Sequence, residues 1–263
     1  MTVYQYEDER GRVLLRKWRF EKTPPATQAL PFPKPEKSFR MEARSQEGHA
    51  WCNTPRAIER KYPGAHDYFH SLLFNLSLLL ANPPAVAISE GEKDSCALVG
   101  VGVPALSHWQ GAQNMTEAQA ERFRGYRGRI DLYADADPAG AADVIRRYDL
   151  LRAVGIAAGR MRILLAAPGH KDAAEHLAAG HTLKEFRSWP PDAMRELARA
   201  APPPPRKGRK ASRDYDPGAW AYDWSTWSPT ALCDTQTGGE SGRRRPALSS
   251  SKPTERRAIR RSK

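Results

Sequence analysis

Cysteine is scarce in this chain, with three in 263 residues. Cys52, Cys96 and Cys233 are widely spaced and form no Cys-x-x-Cys pair, which excludes a zinc ribbon and leaves no disulfide framework. Long hydrophobic runs are missing too. The most apolar stretch, Ser71 to Ala81, is too short and too interrupted to span a bilayer. The N-terminus carries no basic-then-apolar leader, so a cytoplasmic protein with no membrane partner is expected. The pattern G-x-x-x-x-G-K-[ST] occurs nowhere, which excludes a P-loop nucleotide site. There is no internal repeat.

What is present is positive charge, unevenly placed. The formal net charge is +12, and beyond residue 200 there are 14 Lys/Arg against 6 Asp/Glu, so most of the excess belongs to the tail. Basicity of this kind points to a polyanionic partner, nucleic acid being the commonest, although charged tails also serve solubility. The tail is rich in Pro, Gly, Ser and Arg with little apolar periodicity, so disorder is expected there. Its Trp220, Tyr222, Trp224 and Trp227 are unusual in such a segment and suit either a docking element or the stub of a further domain.

Ahead of the tail the pattern alternates between strand and helix. Tyr4 to Phe20 reads as a β-hairpin turning at Glu9-Arg10-Gly11, followed by a Pro-rich loop over Thr23 to Glu36 and a short strand over Ser38 to Met41. Gly64 to Ala81 carries a helical stripe that stops before Pro83-Pro84. Strands are then expected at Ala85–Ser89, Pro104–Leu106, Ile130–Ala134 and Arg162–Ala166. Helices are expected at Asp94–Val99, Thr116–Phe123, Ala139–Val154 and Ala173–Ala179. Such alternation argues for an α/β fold with a parallel sheet and flanking helices. The expected division is a β-hairpin and helical region over 1–82, an α/β domain over 83–190, and a linker with a largely disordered basic tail over 191–263.

Three acidic motifs sit where an expected strand hands over to a helix: Glu90-Gly91-Glu92-Lys93-Asp94, Asp135-Ala136-Asp137-Pro138-Ala139-Gly140 and Lys171-Asp172-Ala173-Ala174-Glu175. Each has an ordinary reading. Asp137-Pro138 suits a helix start, Asp172 with Glu175 resembles a capping box, and Glu90, Glu92 and Asp94 complement a helix dipole. Taken together the balance reverses. The carboxyl ends of strands in an open α/β sheet converge on one crevice, where carboxylates repel by about 4 kcal/mol per pair at ~4 Å and an effective dielectric near 20. A divalent cation with a phosphate ligand explains why they would gather. Asp135, which precedes the cap position, has no helix-start role of its own.

Ala87-Ile88-Ser89-Glu90-Gly91 and Leu132-Tyr133-Ala134-Asp135-Ala136-Asp137 resemble the strand-then-Glu-Gly and strand-then-Asp-x-Asp hallmarks of the Toprim family, the catalytic domain of bacterial-type primases, type IA and type II topoisomerases and OLD-type nucleases. Glu-Gly-Glu-Lys-Asp, Asp-x-Asp-x-x-Gly and the later Lys-Asp are similar to the primase branch found in phage, plasmid and mobile-element proteins. Tyr4-Gln5-Tyr6-Glu7-Asp8, Gly11 and Arg19-Phe20-Glu21 resemble the hairpin that precedes Toprim there. Leu73-Phe74-Asn75-Leu76 resembles a Leu-Tyr-x-Leu-Pro helix of those proteins, with Ser77 in place of the Pro. The resemblance spans roughly Tyr4 to Phe186. It implies a Toprim, Rossmann-like parallel sheet, with Glu90 as general acid/base or a metal-facing carboxylate, and Asp135, Asp137, Asp172 and Asp94 around Mg²⁺ or Mn²⁺.

Gly91 would let the backbone approach a phosphate. Lys93 and Lys171 read equally as phosphate contacts and as charge balance for neighbouring acids. Arg127 and Arg129, with Arg122 and Arg124, read equally as a track for a nucleic-acid backbone and as a solvated face. His108 reads as an ordinary loop residue. The function implied is Mg-dependent, primase-like nucleotidyl transfer in DNA replication of a phage or mobile element. Single-stranded DNA and nucleotides would be its partners, beside a separate replicative helicase. Two alternatives share the motifs, namely a non-catalytic nucleic-acid-binding Toprim subunit of a replication complex and an OLD-like Toprim nuclease.

Overall fold

The computed structural model describes residues 1–22, 36–48, 50–63, 68–111 and 113–199. The Pro-rich segment over 23–35 and the aromatic and basic tail from residue 200, with the disorder expected of it, lie outside the described residues. The hairpin forms as expected. β1 (Thr2–Glu7) and β2 (Val13–Lys22) pair antiparallel, and β3 (Glu36–Ala43) adds to β2 over a longer stretch than the four residues expected. Tyr4, Tyr6, Leu14 and Leu15 of this sheet are buried with Ile58 of α1 (Pro55–Lys61), Phe69, Leu72 and Phe74.

The second sheet has six strands in the order β4-β6-β5-β7-β8-β9. Its four inner strands, β6 (Ala105–His108), β5 (Ala85–Ile88), β7 (Arg129–Ala134) and β8 (Met161–Leu165), run parallel. Two antiparallel strands close its edges, β4 (Leu73–Phe74) and β9 (Arg187–Trp189). The chain is thus α/β with a mostly parallel sheet. The inner strands are short apolar runs because both faces are covered. Val86, Ile88, Ile130 and Leu132 pack on one face with α2 (Leu76–Leu80), α4 (Glu117–Glu121), α5 (Pro138–Ala153) and α7 (Pro191–Arg199). Ala87, Tyr133 and Leu164 pack on the other with Leu98 of α3 (Glu92–Gly100) and Ala173 of α6 (Ala173–Ala178).

Three expectations are corrected. The helix read over Gly64 to Ala81 is interrupted: Leu73–Phe74 pairs with Ser107 and His108, and Asn75 turns the chain with φ +59°. Asn tolerates this left-handed conformation better than a β-branched residue, and its Nδ2 donates to the Ala105 carbonyl at 2.9 Å. β4 therefore carries the main sheet across the boundary expected at residue 82. Residues 191–199 are no linker either. α7 starts on Pro191, packs against α5 and buries Met194 completely. Pro at the first helical turn lacks only a donor that would have no partner there. Lastly, His108 ends β6 and is fully buried, so it is not a loop residue.

Cys52 and Cys96 are not joined to each other in a disulfide. No helix among the described residues is long and apolar enough to cross a membrane.

Candidate active site

The strand order places a switch point between β5 and β7. The chain steps from β5 to β6 on one side, then returns to lay β7 on the other. In open α/β sheets the crevice outside such a point is where ligands bind. Glu90 follows β5 and Asp135 follows β7, so the first two acidic motifs open on that crevice. The third stands beside them, because the Ala136 N–H donates to the Lys171 carbonyl at 2.7 Å. Gly140 permits the arrangement at Asp135. A Cβ added there would lie 2.5 Å from the Asp135 carbonyl oxygen and 2.6 Å from its Cβ. Gly140→Ala is therefore expected to cost about 1–3 kcal/mol, typical of overpacking, and to displace Asp135. Urea denaturation with a parallel activity assay checks both.

The carboxylates converge as two linked groups. Glu90 is pushed up to about 8, first by burial and then by the charges of Asp135 and Asp143, against the pull of Arg147 and Lys171. Asp135 is raised by burial, with Asp172 and Asp137 adding repulsion that Lys171 partly offsets. Burial alone would also raise Asp137, but the Gly140 N–H at 2.8 Å from its Oδ1 and the Lys171 ammonium hold it below its usual range. Lys171 Nζ stands 3.4 Å from Asp135 Oδ2 and 3.2 Å from Asp137 Oδ2, so one cation is already shared by the Asp-x-Asp pair.

In the second group Asp94 and Asp172 face each other. Burial and the Asp172 charge push Asp94 up to about 7, and its Oδ1 accepts the Ala174 N–H at 3.0 Å. Asp172 stays low despite burial, because Lys93 binds its Oδ2 at 2.7 Å and the Glu175 N–H binds its Oδ1 at 2.8 Å. Of the two, Asp94 is the one that holds a proton more readily. Asp137 and Asp172 both cap helices, although the Glu175 side chain accepts the Lys171 N–H at 2.9 Å and does not close the expected capping box on Asp172, and the Asp135 side chain caps none.

Not every expected residue joins the crevice. Among the described residues no three His, Cys, Asp or Glu side chains are close enough to form a ready-made metal cluster. Gly91 has an extended φ of −138° that any residue adopts, and an added Cβ would meet only Asp94 at 3.9 Å, so the fold itself does not demand glycine there. Arg129 opens β7 at the opposite end from Asp135, roughly 20 Å away at ~3.3 Å per strand residue. There it shares Asp131 with Arg162. Arg127 is exposed just before it. A nucleic-acid contact by these two arginines would therefore fall on a different edge from the acidic crevice.

Two supporting groups went unread in the sequence. Arg147, fully buried on α5, donates from Nη1 to the Ile88 carbonyl at 2.7 Å and from Nη2 to the Tyr133 carbonyl at 2.9 Å. It thus clamps the ends of the two strands that carry Glu90 and Asp135. Its Nε lies 2.7 Å from Asp143 Oδ2, and Arg147 with His108 draws buried Asp143 down to about 2 although burial opposes this. Glu92 has a structural role of its own. It accepts from the Tyr6 hydroxyl and from Lys17 Nζ, the latter at 2.7 Å, tying the N-terminal sheet to the start of α3. An Asp143–Arg147 ion pair at i, i+4 reads like any surface helix pair, so the sequence gives no sign of its burial.

The raised Glu90 carboxyl has a consequence for stability. Below about 4.5 it is protonated in both folded and unfolded chains, so it costs nothing. Between about 4.5 and about 8 the unfolded chain ionises while the folded one keeps its proton. Stability then falls with rising pH by up to about 1.4 kcal/mol per pH unit. Thermal midpoints of wild type and Glu90→Gln are expected to diverge across that window in favour of the variant; parallel curves would contradict the assignment.

No protein-family profile matches the chain, and no curated protein sequence matches it. Among solved structures the chain is similar to the Escherichia coli primase catalytic core, at 18% identity and a TM-score of 0.46, over 74% of this chain and 54% of that one. It is also similar to a DNA primase domain from Pseudomonas aeruginosa, at 18% identity and a TM-score of 0.45, over 75% and 50%. A third is the RNA polymerase domain of the Mycobacterium tuberculosis primase DnaG, at 17% identity and a TM-score of 0.43, over 75% and 54%. The chain spans about half the length of these structures.

Proposed function

We propose that this chain is a Toprim protein of the primase-like branch that transfers nucleotidyl groups on single-stranded DNA with Mg²⁺ or Mn²⁺. One observation carries the reading: Asp135 and Asp137 share a single cation, the Lys171 ammonium, beside a largely protonated Glu90 at the switch point. Asp135 and Asp137 offer that position carboxylate oxygens, the donors that Mg²⁺ takes, usually through one or two carboxylates together with substrate phosphates and water. Asp135 and Asp137 would hold the ion, with Asp172 and Asp94 behind them. When bound, the ion supplies charge neutralisation of the phosphates and in-line placement of the attacking and leaving oxygens.

The residues have separable tasks. Glu90, titrating at about 8, is matched to taking the proton of an attacking 3′-hydroxyl or returning one to the leaving pyrophosphate near neutral pH. Lys171, about half exposed, is placed to leave the carboxylates for a phosphate once a divalent ion arrives. Arg147 and Gly140 hold Glu90 and Asp135 in register. A separate helicase would supply the single-stranded template, in a phage or mobile-element replication complex.

A second reading has its own support. Lys171 and Lys93 already neutralise Asp135, Asp137 and Asp172, as a non-catalytic nucleic-acid-binding module would require. The test incubates the full chain with single-stranded DNA, labelled nucleotides and Mg²⁺. Labelled oligonucleotides support nucleotidyl transfer. Shortened template points to an OLD-like nuclease. DNA binding with neither product overturns autonomous priming in favour of the binding module.

A further inference from the structure

Three histidines meet where the loop after β8 folds against the turn after α6. His176 is the inner one, and both its nitrogens are committed. Nδ1 accepts the Ala167 N–H at 3.0 Å, so Nε2 carries the proton and donates to the Thr182 carbonyl at 3.0 Å. His181 stacks on it, with ring centroids 4.9 Å apart and planes inclined by 28°. His181 Nδ1 lies 2.9 Å from Glu185 Oε1. An ionised carboxylate only accepts, so Nδ1 carries the proton and Nε2 is left with its lone pair. Glu185 is itself fixed, its Oε2 accepting the Thr182 N–H at 2.7 Å and the Thr182 hydroxyl at 2.8 Å.

The free lone pair of His181 points at another imidazole: His181 Nε2 and His170 Nε2 are 3.1 Å apart. Two nitrogens at that separation subtend roughly 100° at an ion about 2.0–2.1 Å from each, between the octahedral and tetrahedral angles. Imidazoles radiating from such an ion would place their centroids about 4.8 Å apart, and the observed separation is 4.9 Å. A straight N–H···N bond of the same length would spread them to roughly 5.4 Å. A carboxylate on the far nitrogen of a histidine is the outer partner that metal-bound histidines use to fix tautomer and ring direction.

We propose that His170 Nε2 and His181 Nε2 form a two-nitrogen site for a transition-metal cation of the Zn²⁺ class, with Glu185 orienting His181. Binding requires only that His170 move its proton to Nδ1, and water completes the coordination. The donors are imidazoles, suited to Zn²⁺, Co²⁺ or Ni²⁺ and not to Mg²⁺, so the site is chemically distinct from the carboxylate crevice. Occupancy would tie the loop carrying Lys171 and Asp172 to the Thr182–Glu185 turn. The proposal stands independently of the function assigned to that crevice.

Calorimetric titration of the untagged full chain with Zn²⁺ tests it. With the carboxylate crevice saturated by Mg²⁺, one Zn²⁺ per chain is expected, with a raised thermal midpoint, since a ligand of the folded state stabilises it. Glu185→Gln is expected to weaken binding about 10–100-fold, His170→Ala and His181→Ala to abolish it, and Asp135→Asn to leave it unchanged. Absence of saturable Zn²⁺ binding in wild type overturns the proposal and leaves a simple hydrogen bond between the rings. Equal binding by the histidine variants overturns it as well. Should either alanine variant fail to fold, the Glu185→Gln comparison decides, equal affinity counting against the site.

Discussion

Asp135→Asn is expected to abolish nucleotidyl transfer, by at least roughly a thousandfold, while leaving binding of single-stranded DNA within a few-fold of wild type. Charge stabilisation by a metal ion contributes several kcal/mol to phosphoryl chemistry, and every 1.4 kcal/mol is about a factor of ten in rate. Asn keeps the shape of Asp135 but supplies neither the charge that would retain the proposed cation nor the field that raises Glu90. The same substitution is expected to stabilise the fold. Burial disfavours the ionised form of Asp135, with Asp172 and Asp137 adding repulsion. The folded chain therefore carries that cost wherever the unfolded carboxyl is ionised, and the cost disappears at acid pH. Thermal midpoints of the two proteins should differ in favour of Asn near neutrality and converge in acid. A variant that is inactive and less stable at pH 7 would instead mark Asp135 as a structural residue. A metal-bridged binding module predicts a different loss, with DNA affinity itself falling.

Arg147→Ala carries the largest expected cost to stability. Removing one partner of a buried ion pair leaves the other charge uncompensated, at about 3–5 kcal/mol. Here Asp143 and Arg147 are both 0% exposed, and the Ile88 and Tyr133 carbonyls also lose their donors. Asp143→Leu with Arg147→Met removes both charges, and much of the lost stability should return, because replacing a buried pair by apolar groups is often neutral or better. Activity should not return with it, since the clamp across the ends of β5 and β7 is gone. Urea midpoints for the single and double variants, beside the oligonucleotide assay, separate the two effects. A single-variant loss below about 1 kcal/mol would contradict the account of this pair.

The parallel sheet was legible because its inner strands are short apolar runs between Gly, Pro and acidic punctuation. The hand-over from Ile88 to Glu90 and from Ala134 to Asp135 falls where the sequence pattern places it. The helix read from Thr116 does start there, with Thr116 as its cap and Gln119 completing a capping box. β4 was hidden inside a leucine-rich stripe with helical spacing; the competing fact is tertiary, an open edge of β6 that Leu73 and Phe74 fill. α7 was missed because the linker was read from residue 191, where Pro191 in fact starts a helix.

Of the candidate site, the carboxylates were legible from their chemistry. Their counter-ions were legible only in part. Lys93 and Lys171 stood open between phosphate contact and charge balance, and each lies on an aspartate. Neither Arg147 nor Glu92 announced its role, because each depends on what the fold places opposite it. The arginine run from 122 to 129 stood open between a nucleic-acid track and a solvated face, and its place on the sheet was not legible. Arg129 is six residues from Asp135 along a strand, which separates the ends of a sheet.

The central claim is that the acidic crevice holds one divalent cation through Asp135 and Asp137. Electron paramagnetic resonance of Mn²⁺ titrated into the full chain tests it directly. The account predicts a bound Mn²⁺ that Mg²⁺ displaces, that Asp135→Asn and Asp137→Asn release, and that His181→Ala retains. Mn²⁺ bound equally by wild type and both aspartate variants, or not bound at all, would contradict it.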